Sequence, residues 1–570
     1  MFVLRTALKR TNVNHRNALL PFIAAFIWTI TACAVEQPGE AAIASAHPLA
    51  TQAGYEVLEA GGNAFDAAVA VSAVLGVVEP YASGLGGGAF FLLHVADEDR
   101  NVFVDARETA PGASSADMYL DVDGQPIAGA SYDGPLAAGI PGQAAGLVHL
   151  TEKYGQRDLA ANLQSAIRIA EQGVPVHRRM LLGLKFRRSA ADRWPAIGEV
   201  YYPDGVLPEL GDTLIQKDLA ATLRRFAKGG SDEFYSGETA RLLVQGNRAA
   251  GGIWTREDLE NYRVIEREPL TFNYRGTKFI SAPPPSSGGI AMANMLNILN
   301  GYPLDRFDDV TRKHLAIEAM RRAFRDRAEY LGDTDFVDVP VELLMSPDYA
   351  AGQRSSIRLD RATPSEALAD VMPPSPAGNH TTHFSIIDAQ GNRVAATMTV
   401  NTWYGSAYMA PGTGIILNNE MDDFAVKPKV PNSFDLIGSN ANAIEPGKRP
   451  LSSMSPTFLE SEEGVAVLGT PGGSRIISMV LLAAMEWIDG ADAEEIVSMK
   501  RYHHQYYPDR VNYEAGAFTA EEVRGLEMLG HELSESRRAY GNMNIVTQDS
   551  ETGEVKATTD PRAKIEGRVY

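Results

Sequence analysis

The sequence predicts a mixed α+β protein in which helical segments flank β-rich ones, and three observations carry that prediction. Hydrophobic residues make up 45% of the 570-residue chain and charged residues 22%, too apolar for a disordered chain and sufficient for a large core. Residues 50–78 place Ala, Val and Leu at helical spacing. Residues 382–401 instead alternate at the two-residue period of strands. The 52 Lys+Arg against 72 Asp+Glu leave a formal charge of −20, which argues against a nucleic-acid partner, because affinity for phosphate chains rests on clustered cations. A single cysteine excludes internal disulfides, cysteine zinc sites and iron–sulfur clusters.

Taken in chain order, residues 1–17 carry Arg5, Lys9, Arg10 and Arg16 without an acid, and residues 18–32 are apolar and end in small side chains. This is the pattern of an export signal, expected over residues 1–32. A membrane span needs about 20 apolar residues; this run is shorter and holds Pro21. The lone thiol ends Ile30-Thr31-Ala32-Cys33, a tetrapeptide resembling a bacterial lipobox, in which the cysteine is lipidated and becomes the mature N-terminus. The alternative is an ordinary signal cut near Ala34. Both readings expect an exported protein, periplasmic or outer-envelope, with a lipid anchor to the membrane under the first.

After a polar linker at Glu36–Glu40, residues 50–78 read as two helices broken at Gly61-Gly62-Asn63. The cluster Ser83-Gly84-Leu85-Gly86-Gly87-Gly88 then precedes a strand over residues 89–95. A dinucleotide loop requires strand, glycines and helix in that order, and here the order is helix, glycines, strand. The glycines are therefore expected to let backbones approach closely. Helical, polar sequence fills residues 143–265, and Pro283 to Gly289 is turn-rich. Residues 310–331 form an amphipathic helix whose Arg and Glu side chains are expected on a solvated face. Residues 363–378, rich in Pro and Ser, are expected as an exposed loop.

Residues 382–388 and 393–401 form a hairpin signal with Ala389-Gln390-Gly391-Asn392 as a four-residue connection. Centring the turn between Gln390 and Gly391 sets Thr382 opposite Thr399 and Thr381 beside Val400; a slip of one residue keeps the same ends together. Three hydroxyls and an amide thus meet at one hairpin mouth. Downstream lie Asn418-Asn419-Glu420-Met421-Asp422-Asp423, then Pro450-Leu451-Ser452-Ser453, then Pro471-Gly472-Gly473-Ser474-Arg475. A Gly-Gly pair before a helix can turn two backbone N–H groups toward a developing oxyanion, which suits acyl transfer. Acids beside Asn can bind an ammonium group.

These segments, with Gly61 to Ala68 and Thr381-Thr382-His383, occur in the order found in the γ-glutamyltranspeptidase (glutathione hydrolase) precursors of the N-terminal nucleophile superfamily, which this chain resembles over nearly all of its mature region. The resemblance implies a four-layer αββα sandwich and a precursor cut between His380 and Thr381, giving a large subunit of residues 33–380 and a small one of residues 381–570. It implies that the Thr381 hydroxyl attacks the His380 carbonyl, and that the freed α-amine, with a reference pKa of about 7.7–8.0, then acts as base for its own hydroxyl. Thr399 matches the threonine that hydrogen-bonds the nucleophile, and Gly472 and Gly473 match the oxyanion hole. Arg107, Ser452 and Ser453 match the groups that hold a donor's α-carboxylate, a planar anion suited to a guanidinium fork. Asn401, Glu420 and Asp423 match those that grip its α-ammonium.

The implied reaction passes a γ-glutamyl group from glutathione or a similar amide to Thr381, and from there to water, an amino acid or a dipeptide. No cofactor is implied. Lys427 to Ser439 resembles the family's lid loop, with Phe434 where some bacterial relatives carry a tyrosine. His503-His504 invites a metal reading, but eleven histidines show no spaced ligand pattern, so no metal is expected. Two alternatives remain open at this stage: a glutaryl-cephalosporin-type acylase of the same fold, and a non-catalytic envelope lipoprotein.

Overall fold

The computed structural model describes residues 40–368 and 381–563. Cys33, His380, the export segment and residues 369–378 of the expected loop lie outside the described residues.

Two six-stranded antiparallel sheets are built from β1 (Ala42–Ser45), β2 (Gly88–Val95), β3 (Arg100–Ala106), β4 (Ile265–Arg267), β5 (Leu270–Tyr274), β6 (Thr277–Ser281), β7 (Thr382–Ile387), β8 (Arg393–Thr399), β9 (Thr457–Glu460), β10 (Gly464–Gly469), β11 (Asn544–Asp549) and β12 (Val555–Thr559). The first sheet runs β1-β7-β8-β2-β3-β4 and the second β12-β11-β10-β9-β6-β5. Side chains alternate across each strand. In the first sheet Phe91, Leu93, Val104, Phe384 and Ile386 therefore pack with helices α1 (Pro48–Glu59), α2 (Ala64–Val78) and α3 (Gln143–Lys153). Their neighbours Phe90, Leu92, Phe103 and Ile387 share a core with Phe279, Phe458 and Val467 of the second sheet. That core continues into α4 (Gly288–Leu299), α5 (Asp309–Tyr330) and α6 (Arg475–Ile488). The layers are helix, sheet, sheet and helix, the αββα sandwich. Among the described residues no helix is long and apolar enough to cross a membrane.

The break before α2 is a capping box: Asn63 accepts from the Phe65 and Asp66 amides while Asp66 accepts from the Asn63 amide. The glycine cluster acts through close approach. A Cβ on Gly86 would lie 2.1 Å from the Ile416 carbonyl oxygen, and one on Gly87 would lie 2.0 Å from that of Thr399. Only glycine lets β2 start there.

Two expectations are corrected. The hairpin pairs Thr382 with Met398 and Arg393 with Ile387, a register one residue away from the expected centring. Asp388 leaves the strand to hold the turn, its carboxylate accepting from the Gln390 and Asn392 amides and from the Ala64 amide of α2, so the connection has five residues rather than four. The slip places Thr381 opposite Thr399.

The charged residues of α5 do not form a solvated face: Glu318, Arg321, Arg322, Asp326 and Arg327 are all buried. α5 is packed between α4 and the helix Ala520–Met528, so it has no single outward side. Glu318 accepts from Arg321 and Arg322 and from the Thr363 amide, and Arg321 reaches Ser365 and Asp509. Ser365, expected in an exposed loop, is buried by these contacts.

Candidate active site

At the mouth of the β7–β8 hairpin an open cleft of about 310 Å³ is lined by Thr381, Thr399, Asn401, Arg107, Glu420, Asp423, Ser452, Ser453 and Gly473. Every residue selected from the sequence for catalysis or substrate binding lines this cleft except Gly472, which precedes Gly473 in the same turn. His380 and Cys33 lie outside the described residues. The sheet pairing sets Thr381 Oγ1 3.4 Å from Thr399 Oγ1, and Thr399 Oγ1 accepts the Asn401 amide at 2.7 Å. Asn401 has φ +74°, a left-handed conformation that asparagine tolerates better than most residues and that turns the chain out of the sheet. Its Nδ2 donates to the Asn419 carbonyl at 2.9 Å.

The neighbouring Thr382 points to the other face and donates to buried Glu79 at 2.8 Å. His383 is held between Thr397 and Ser385, and burial lowers its pKa to about 3. It is therefore a neutral, fixed ring rather than a base for Thr381.

Gly472 and Gly473 lead into α6, and Gly473 at φ +58° needs the freedom glycine has. Ser474 and Ile476 of the same helix start also line the cleft, which brings the positive end of a 14-residue helix to its wall.

The opposite wall is ionic. Arg107, fully buried after β3, donates to Glu420 and, at 2.6 Å, to Asp423, both on the short 3₁₀ turn Glu420–Asp423. Glu108 lies 3.6 Å from the same guanidinium and both its oxygens lack a hydrogen-bond partner, as does Glu420 Oε2. Burial raises all three carboxyls above their usual range, opposed by Arg107 and reinforced by neighbouring acids. Burial alone would lower the Arg107 pKa, but the acids outweigh it and keep the guanidinium charged.

Ser452 and Ser453 are braced from behind by the turn-rich Pro283–Gly289 segment. Ser287 donates through both its amide and its hydroxyl to the Ser452 carbonyl, and Ser286 Oγ donates to the Met454 carbonyl at 2.7 Å. The sequence marked that segment only as a turn. Phe434 and Leu436 of the Lys427–Ser439 segment also line the cleft. That segment is tied down through its main chain: Gln505 Nε2 donates to the Phe434 and Asp435 carbonyls, and the Ser433 amide donates to Asp422. Arg327 of α5 is a further lining residue that sequence reasoning missed, having assigned it to solvent. The signal was present in residues 318–327, whose charges are too crowded to share one face of a helix.

His503 is bonded to Ser478 and Gln505, and His504 to Asp509, so they do not converge. A second group, His314, Glu318 and His531, does converge, with ligand atoms within 4.8 Å. Its chemistry does not suit a cation: two guanidiniums already hold the Glu318 carboxylate, and the two histidines are bonded to each other at 2.8 Å.

Residues 50–570 match the family model described as Gamma-glutamyltranspeptidase. The chain is 44% identical over 498 residues to the glutathione hydrolase proenzyme of Pseudomonas sp. (strain A14), covering 86% of each sequence. It is 39% identical over 526 residues to that of Escherichia coli (strain K12), covering 91% of this chain and 90% of the relative. Among solved structures, the cephalosporin acylase from Bacillus halodurans superposes with a TM-score of 0.80 at 27% identity over 98% of both chains. By the extent of these matches, the chain belongs to the γ-glutamyltranspeptidase family.

Proposed function

We propose that this enzyme is a threonine-nucleophile γ-glutamyltransferase and glutathione hydrolase that matures by cutting its own chain before Thr381. One observation carries the reading: a single cleft gathers beside the Thr381 hydroxyl both Arg107, Ser452 and Ser453, which suit a carboxylate, and Glu420 and Asp423, which suit an ammonium, the two charges of a zwitterionic γ-glutamyl head. In maturation the Thr381 hydroxyl adds to the His380 carbonyl, the peptide nitrogen leaves as the Thr381 α-amine, and water hydrolyses the resulting ester. The amine then accepts the proton of its own hydroxyl as Oγ1 attacks the γ-amide carbon of the donor. Negative charge develops on the former carbonyl oxygen, beside Gly472, Gly473 and the start of α6. The leaving amine takes the proton and departs. Water, an amino acid or a dipeptide then attacks the γ-glutamyl ester and restores the hydroxyl.

Arg107, Ser452 and Ser453 would hold the α-carboxylate, and Asn401, Glu420 and Asp423 the α-ammonium. Burial raises the Glu420 and Asp423 carboxyls and Arg107 opposes that shift; an arriving ammonium would oppose it further. Release of nitroaniline from γ-glutamyl-4-nitroanilide should be readily measurable and should accelerate when a dipeptide acceptor is added. A purified, cut protein that leaves this anilide untouched would overturn the reading.

We also propose export, with Cys33 as a lipid-bearing N-terminus, supported by the basic then apolar start and by Ile30-Thr31-Ala32-Cys33. Mass analysis of the mature N-terminus should find a diacylated Cys33; a chain starting at Ala34 would point to the ordinary signal.

A further inference from the structure

Arg327 sits 5% exposed in the wall of the cleft, and among the described residues no carboxylate pairs with it. Its Nε donates to Ser287 Oγ at 3.1 Å and its Nη2 to Ser453 Oγ at 3.4 Å. Arg107 is in the opposite condition, with Glu420 and Asp423 both bonded to it. A zwitterion entering the cleft must therefore pull Arg107 away from its acids, while Arg327 has no carboxylate to exchange.

Hydrogen-bond direction adds a second argument. A guanidinium can only donate, so Ser453 Oγ must accept from Arg327 and its own proton is left for another acceptor. Ser452 is set in the same sense, because its Oγ accepts the Met454 amide at 3.1 Å. Both hydroxyls are thus turned into donors, the polarity an anion requires. Burial lowers the Arg327 guanidinium to about 10, with Asp423 opposing and Arg107 adding to the shift, so it stays charged at neutral pH.

We infer that Arg327 is a positioning residue for donor specificity, which fixes Ser453 as a hydrogen-bond donor and places a positive charge, directly paired with no described carboxylate, at the α-carboxylate end of the cleft. This rests on the γ-glutamyl reading above. It is a preorganised field, present before the substrate arrives.

The test compares γ-glutamyl-4-nitroanilide with 4-aminobutanoyl-4-nitroanilide, the same amide without the α-carboxylate. Arg327→Met should lower the ratio of the two kcat/KM values by about 30-fold, mainly through KM, in line with the loss of a charge-assisted contact. Arg327→Lys should fall between wild type and Arg327→Met, since it keeps the charge and loses the fork. In a Ser453→Ala background the same Arg327→Met change should move the ratio by less than about 10-fold, because the part of its effect that runs through Ser453 is already gone. Equal losses on both anilides, or an unchanged ratio, would overturn the inference. A denaturing gel shows whether each variant has matured. If Arg327→Met stays uncut, Arg327→Lys carries the test, with a drop of about fivefold expected and no drop sinking the idea. Wild-type protein inert toward the γ-glutamyl anilide would instead defeat the functional reading itself.

Discussion

Thr381→Ala should give one uncut chain on a denaturing gel and turnover reduced on the order of 10⁴-fold or more, the scale of losing a covalent nucleophile. The two losses have one origin. In the proposed mechanism the same oxygen opens the His380–Thr381 bond and later carries the γ-glutamyl group, and the amine that serves it exists only after the first step. Thr381→Ser separates these roles from mere packing: it keeps the hydroxyl, and should retain both cleavage and turnover at reduced rates. The geometry behind the prediction is the register of the β7–β8 hairpin, which brings Thr381 Oγ1 to 3.4 Å from Thr399 Oγ1 on a strand inside the first sheet. Cleavage that persists in Thr381→Ala, or an uncut chain that still turns over γ-glutamyl anilide, would refute the assignment.

Asp423→Asn should reduce kcat/KM for γ-glutamyl-4-nitroanilide by roughly 10²- to 10³-fold, the cost of taking one partner from a desolvated charge pair. The substitution keeps the volume and removes the charge, so folding and self-cleavage should survive. A glutaryl anilide lacks the α-ammonium, and its much lower rate should not share the loss. This comparison also separates the enzyme from the acylase alternative, which the structural likeness to a cephalosporin acylase makes concrete. An acylase for glutaryl amides would have no use for three carboxyls beside Arg107, because the donor brings no cation to balance them. Unchanged γ-glutamyl turnover in Asp423→Asn would favour that alternative.

Much of the site could be read along the chain because its members sit in short polar or glycine-rich clusters next to strands. Thr381, Asn401, Ser452, Ser453 and Gly473 lie within a few residues of a strand end, Glu420 and Asp423 come from a 3₁₀ turn in the long connection between β8 and β9, and the fold gathers them all in one cleft. The hairpin itself was legible, but its register depended on Asp388, whose carboxylate reaches the Ala64 amide 324 positions earlier in the chain. No local pattern encodes that contact. Arg327 and Glu318 were assigned to solvent because charge at helical spacing usually lies there. Their burial involves partners from distant segments, Ser453 for the one and Thr363 for the other, the latter beside two arginines of the same helix. The glycine cluster succeeded where these failed, since the order of elements around it excluded a nucleotide loop without any tertiary information.

Each sheet interleaves strands from both sides of position 381: β7 and β8 lie between β1 and β2, while β9 to β12 adjoin β6 and β5. A backbone severed there, as proposed, would leave two fragments woven together without a disulfide, neither able to leave without dismantling both layers. Denaturation of such a cut enzyme would also be a dissociation, governed by mass action in a way the intact polypeptide is not. Renaturation would need two separate molecules to find each other and rebuild a shared sheet, so losing the covalent tether would make assembly a history-dependent event completed before the scission.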